Sequence, residues 1–285
     1  MLAAMGCGML NGDGSDDRST LQGVAFGGQT FVAVGSGGAV YTSSDGQSWT
    51  TRTSGVSVDL HGVAYAANLF VVVGDGGVIV TSSDGESWTV PTSPTTASFE
   101  AVTYGGGLFV TVGDDGALLT STDGTDWVAQ DSGTSATIHG VGYGNDQFLA
   151  AGDDGLVLVS EDGVQWANVA SGTAESLRDV RYGDGTWVVV GANGLVAVST
   201  DGSDWTTSSI AAVDLDGISY AQGRFVVVGT SGTILQSTDP EALAAESSGT
   251  TEDLAAVAYG ADTWVAVGAD GEIVVSGDGE DWSPL

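Results

Sequence analysis

The sequence predicts an all-β fold, a seven-bladed β-propeller with four antiparallel strands in each blade of about 39 residues. Three observations carry this reading. From Leu21 onward the chain repeats, with units opening at Leu21, Leu60, Phe99, Ile138, Leu177, Leu215 and Leu254, every spacing being 39 residues except one of 38. A fixed period of this size marks a repeat architecture. Each unit is Gly-rich and built from short Val, Ile, Phe, Tyr and Thr runs without a 3.6-residue apolar period, which excludes helical repeats. Finally, the pattern Ser/Thr-x-Asp-Gly-x-x-Trp recurs six times, ending at Trp49, Trp88, Trp127, Trp166, Trp205 and Trp282.

The second unit shows the elements in order. Leu60 to Tyr65 reads as an innermost strand and Leu69 to Val73 as the next, joined by Ala66-Ala67-Asn68. Gly74 to Gly77 forms a tight hairpin. Val78 to Ser82 is the third strand, and Trp88 opens the fourth after the Asp84-Gly85 turn. In that turn an Asp carboxylate accepts N–H groups of its own loop and Gly supplies the positive φ. Asp45, Asp84, Asp123, Asp162, Asp201 and Asp278 are therefore structural, and the six tryptophans are expected to be core.

The aromatic census agrees. The innermost strands end on Phe26, Tyr65, Tyr104, Tyr143, Tyr182, Tyr220 and Tyr259, and the second strands carry Phe31, Phe70, Phe109, Phe148, Trp187, Phe225 and Trp264. With the turn tryptophans these make 20 of the chain's 22 aromatics, leaving almost none free for a sugar-binding platform. An open β-solenoid is the alternative, but it needs polar caps and neither end of the repeat series resembles one. The sixth unit departs: Pro240 stands where Gly belongs and Leu243 where Trp belongs, so that turn must differ. Both terminal blades are complete within themselves. Closure is therefore expected through face packing of blades one and seven, with that seam the weakest joint.

The chain divides into residues 1–20, a tail, and 21–285, the propeller. Within the tail, Leu2-Ala3-Ala4-Met5-Gly6-Cys7 followed by an acidic Gly/Asp/Ser stretch resembles the end of a bacterial lipoprotein signal, which makes Cys7 a candidate for lipidation. A disordered tail with an incidental thiol is the alternative. One cysteine allows no internal disulfide and no Cys-based zinc site, and no apolar run is long enough to span a membrane.

Charge narrows the function classes. With 37 Asp and Glu against 5 Arg and no Lys, the formal net charge is −32. This argues against nucleic acid and anionic membranes, and favours solubility, a high-salt habitat, cations or a basic partner. A monomer is expected.

The recurring turn resembles the Asp-box (BNR) repeat of bacterial sialidases, other glycoside-active propellers and propellers that assist photosystem II assembly. The resemblance covers residues 21–285, with Trp one residue closer to Asp than in the usual box. The whole unit is most similar to uncharacterised repeat propellers of bacterial envelope proteins. A sialidase would imply an arginine-clamped carboxylate site with an acid/base Asp and a Tyr–Glu pair. Arg18 lies in the tail, Arg52 on an outer strand and Arg224 at the wrong end of a blade, so no clamp forms and no catalytic residue carries over.

The residues that differ between copies point elsewhere. At the second position of each unit, where a propeller presents side chains to its channel, stand Gln22, His61, Glu100, His139, Arg178, Asp216 and Ala255. His61, Glu100 and His139 come from consecutive blades and have ligand chemistry for a cation. Hydrogen-bonded channel residues are the favoured reading, and no metal or cofactor is assigned. Arg178 and Arg181 beside Asp179 and Asp216 read as an ion-pair cluster that can also hold an anionic group. The hairpins after the second strands place Asp75, Asp114, Asp115, Asp153, Asp154 and Asp270 on the same face, an acidic ring suited to cations or a basic partner. The expected function is a non-catalytic extracellular or cell-envelope module that binds an unidentified protein or glycan through this face. A glycan-active hydrolase, built on some pair of its many carboxylates, is the alternative.

Overall fold

A computed structural model describes residues 19–285; Cys7 and Arg18 lie outside them. Seven antiparallel sheets surround a central channel, each strand pairing with its chain neighbour. Blade one shows the plan: Leu21–Gly27 lines the channel, and Thr30–Gly35, Ala39–Ser43 and Thr50–Thr53 step outward. The seven innermost strands begin at the seven residues that open the sequence units.

Six sheets have four strands, whereas blade two keeps three (Leu60–Ala66, Leu69–Gly74, Ile79–Ser82) and reduces the fourth to the single bridge Thr81–Thr89. Proline explains this. In blade three the Gln130 N–H donates to the Leu118 carbonyl. The residue one repeat earlier is Pro91, which has no N–H to donate.

The apolar core lies between blades rather than within them. Among the described residues seven buried clusters occur, one at each joint. The first joint combines Val32, Val34 and Val40 of blade one with Leu60, Phe70, Val72 and Val80 of blade two. The seam is built in the same way, from Leu21, Val24, Phe31 and Ala33 against Ala258, Val265, Val267, Ile273 and Val275.

A second repeated contact rings the inner wall. The Tyr65 ring lies so close over Gly27 of the preceding blade that a Cβ there would come within 2.0 Å of it, and Tyr143 covers Gly105 equally tightly. Phe26 covers Gly260 in the same way and so closes the circle. Packing thus gives no sign of the weaker seam expected from the sequence.

The Asp-Gly turn is bonded as expected. Asp84 Oδ1 accepts the N–H groups of Glu86 and Ser87, each at 2.8 Å, and Trp88 Nε1 donates to the Gly85 carbonyl at 3.2 Å. The turn also leans on the neighbouring blade. A Cβ at Gly124 would meet Leu69 and Val71 of blade two, and one at Gly163 would meet Leu108 and Val110 of blade three. The expectation that all six tryptophans are core needs correcting. Trp127 and Trp282 are buried at 8% exposure, but Trp49, Trp88, Trp166 and Trp205 are only half-buried, their rings lying at the surface edge of the joints. In blade six, Pro240–Ala242 forms a short 3₁₀ turn begun by Asp239, whose carboxylate accepts the Glu241 N–H. Leu243 takes the tryptophan's place against the joint, and the fourth strand survives as Ala244–Glu246.

Two outcomes follow from the turns. Trp127→Ala should cost about 3–5 kcal/mol as a large-to-small core change, and the half-buried Trp88→Ala only about 2–3 kcal/mol, measured by denaturant unfolding. Equal losses would contradict the difference in burial. Backbone N–H donors hold Asp84 well below the usual carboxylate range, at about 2, and do the same for Asp123 and Asp278. A folded-state pKa below the unfolded value gives stabilisation that is complete above the unfolded pKa and lost as pH falls through the folded one. The stability gap between the wild type and Asp84→Ala should therefore narrow as pH falls from about 4 to about 2. Taking the difference removes the opposing relief of charge repulsion, and a gap independent of pH would show that the ionised carboxylate is not what holds the turn.

Candidate functional site

The innermost strands enclose a channel of about 550 Å³. Its wall has one irregularity that repeats in every blade. The pairing of innermost and second strands slips by one residue after the first pair, between Leu21 and Gly23 in blade one and between Leu177 and Asp179 in blade five. The residue left over is the second of each unit: Gln22, His61, Glu100, His139, Arg178, Asp216 and Ala255. A bulge releases a residue from the ladder and re-aims its side chain. The position singled out by its variability is therefore the one the backbone frees, and six of the seven are polar or charged.

The structure does not bring His61, Glu100 and His139 to a common point. His61 Nε2 lies 2.9 Å from Asp75 Oδ1 and its Nδ1 lies 2.5 Å from Gln22 Oε1 of blade one. His139 Nε2 lies 2.9 Å from Asp153 Oδ1, which also accepts the Ser176 hydroxyl at 2.7 Å. These partners hold Asp153 below the usual carboxylate range. Each histidine is turned back to the hairpin of its own blade, and among the described residues no group of three or more His, Cys, Asp or Glu side chains is arranged to hold a metal. The same contacts place the hairpin carboxylates at the channel mouth.

Blades five and six carry the densest charge. Arg178 forms ion pairs with Asp216 and, at 2.7 Å, with Asp214 Oδ2. Burial pushes the Asp216 carboxyl up, with the Arg178 charge opposing. Asp179 and Arg181 occupy the third and fifth positions of the unit, where every other blade has Gly, Ala, Ser or Thr. Small residues are required where the inner strands crowd. A Cβ at Gly140 would lie 2.8 Å from Asp179 Cα, and one at Gly217 2.6 Å from the Ala255 carbonyl. Asp179 is accommodated because its Oδ2 accepts the Ile218 N–H of blade six at 2.9 Å while Oδ1 accepts the Val180 N–H. Burial raises its pKa, opposed by Arg181 and by those donors. Arg181 Nε donates to the carbonyl of the same Ile218 at 3.4 Å. Carboxylate and guanidinium together engage both polar groups of one backbone residue on the free channel edge of blade six.

Several contributors escaped sequence reading. Asp214 shares Arg178, and its Oδ1 also accepts the Asn193 N–H of the preceding blade's hairpin. Asp59 and Asp253 do the same for Gly37 and Ser231. The signal was present: the residue before each unit is Thr20, Asp59, Ser98, Thr137, Ser176, Asp214 or Asp253, always an oxygen-bearing side chain. Asp179→Ala should leave overall stability within about 1 kcal/mol, since the two lost hydrogen bonds are offset by relief of a buried charge, while exchange of the Ile218 amide with solvent accelerates. An unchanged Ile218 exchange rate, read by NMR, would mean that Asp179 does not protect it.

No family model and no curated protein matches the chain. Its fold is similar to that of YCF48 bound to D1 peptide, at 18% identity over 91% of each chain with a TM-score of 0.74. It is similar also to YCF48 from Cyanidioschyzon merolae, at 17% identity over 91% of this chain and 95% of that one, with a TM-score of 0.71. The WD40 β-propeller domain of Doa1 shares 15% identity over 93% of each chain, with a TM-score of 0.72. Likeness at these identities is likeness of fold: a seven-bladed propeller.

Proposed function

We propose that the chain is a non-catalytic binding module that takes a basic segment of a partner protein on its channel-mouth face, outside the cytoplasm or in the cell envelope. The observation that carries this is the coincidence of two features on one face. The bulged residues, which differ from blade to blade, stand beside hairpins whose outermost residues Asp115, Asp154 and Asp270 are exposed carboxylates. Repetition builds the scaffold, and the face where it lapses is the face free to specify a partner. A propeller of similar fold has been captured with a peptide, which supports the mode of binding and not its partner. Of the three channel carboxylates among the described residues, Asp179 and Asp216 are already engaged with backbone N–H groups and with Arg178, which leaves Glu100 without a second free carboxylate to act with and favours binding over hydrolysis. Placement in the envelope draws support from the lipoprotein-like residues before Cys7 and from the acidity of the chain.

The test uses the backbone geometry of the hairpins. Asp115, Asp154 and Asp270 sit at φ of 54°, 57° and 52°, a left-handed conformation that Asn also adopts readily and that Asn193 occupies in blade five. Replacing all three by Asn removes three charges without disturbing the turns. A fluorescent Lys/Arg-rich peptide should bind the wild type with an affinity that falls as salt rises, and bind the triple variant at least about fivefold more weakly at low salt. Affinity indifferent to both salt and substitution would remove the electrostatic basis of the proposal.

A further inference from the structure

Of the four arginines among the described residues, three are spent in ion pairs: Arg52 with Glu86, Arg178 with Asp214 and Asp216, and Arg224 with Glu280. Arg181 is the exception. It has no carboxylate within ion-pair distance among the described residues, only the 3.4 Å bond from Nε to the Ile218 carbonyl, and it is exposed on the channel wall. In a chain with 37 carboxylates and 5 arginines, an unpaired guanidinium is an unusual allocation. The opposite case stands in the same channel. Glu100 is half-buried on the wall and makes no side-chain hydrogen bond or ion pair among the described residues, whereas His61, His139, Arg178 and Asp216 at the equivalent positions are all engaged.

We propose that the channel is a binding site for a small zwitterion, with Arg181 receiving its carboxylate and Glu100 its ammonium group. An acidic rim repels a simple anion before it reaches Arg181, since exposed carboxylates stand at the mouth (Asp115, Asp154). A ligand that carries its own positive charge crosses that rim. The channel's volume of about 550 Å³ falls in the range of small-molecule sites. Glu100 lies at the second, bulged position of its unit and Arg181 at the fifth, so they are offset along the channel by two to three strand residues, at most about 10 Å. That span excludes an α-amino acid, whose charges are adjacent, and matches an extended tripeptide with free termini, also about 10 Å long. Guanidinium–carboxylate pairing supplies the directional end of the site and the Glu100–ammonium pair the other.

The site is separate from the rim: neither residue is a rim hairpin carboxylate, so failure here and failure of the basic-partner reading are distinguishable. Calorimetric titration with triglycine tests it. One-site binding is expected, weakened at least about tenfold when the peptide is N-acetylated, when it is C-amidated, or when glycine replaces it. These comparisons use the wild-type protein and need no variant. Glu100→Gln and Arg181→Gln, each with unchanged thermal unfolding, should weaken triglycine by a similar factor, with partial recovery in Arg181→Lys. Capped peptides binding as well as the free one, either variant binding like the wild type, or no saturable binding up to about 10 mM would each overturn the proposal.

Discussion

Everything in this structure depends on how closely adjacent blades approach at the channel wall. At five of the seven joints the aromatic ring that ends an innermost strand sits on the backbone of the preceding blade, at distances that leave no room for a side chain at Gly27, Gly105, Gly144, Gly183 or Gly260; at the other two the equivalent residue is Ala66 or Ala221. Outward from that contact the buried aliphatic residues of two neighbouring sheets merge into one core per joint. A single blade would expose both faces of its sheet, so stability is a property of the ring. A repeat built this way closes without exchanging a strand between its ends, because the last joint is made like most of the others, with Phe26 over Gly260 as tyrosines lie over Gly27, Gly105, Gly144 and Gly183.

That constraint explains what was legible in the sequence. Period, strand positions and turn chemistry follow from local pattern, and so the seven blades could be read before any geometry was known. The Asp-Gly turn was legible as a turn but not as a contact between blades, because the partner of Gly124 or Gly163 lies about 55 residues earlier in the chain. Burial of the tryptophans was overestimated for a related reason. Ring size predicts the tendency to bury, while the depth of Trp88 relative to Trp127 depends on what the neighbouring blade places opposite. Pro91 marks a third limit. Its lack of an N–H was visible, but only the pairing of Gln130 with Leu118 shows which ladder bond it removes.

The candidate site was legible as a list of residues and not as an arrangement. Variation between copies identified the seven second positions. The backbone bulge that gives them their common orientation has no sequence mark of its own, because the freed residue can be of any type. Partners were harder still. His61 and His139 look like ligands in the sequence, yet each is turned to a hairpin Asp fourteen residues later in its own unit. Asp214 was overlooked because it lies just outside the unit as drawn, although it holds Arg178 and the previous hairpin together.

Blade five shows how a symmetric scaffold acquires an asymmetric interior. Its innermost strand places Arg178, Asp179 and Arg181 where steric crowding elsewhere allows only small residues at two of the three positions. The cost is met by the backbone of blade six. Ile218 has its N–H and its carbonyl on the unpaired channel edge, and Asp179 and Arg181 supply the acceptor and donor that water would otherwise supply. Once Asp179 is committed in this way, its charge is close enough to steady the Arg181 guanidinium without consuming it. Arg181 is left exposed on the channel wall, with no carboxylate within ion-pair distance among the described residues. The departure from the repeat that looked like a local ion-pair cluster thus divides into two roles: Arg178 joins blades, and Arg181 is held by them and kept free.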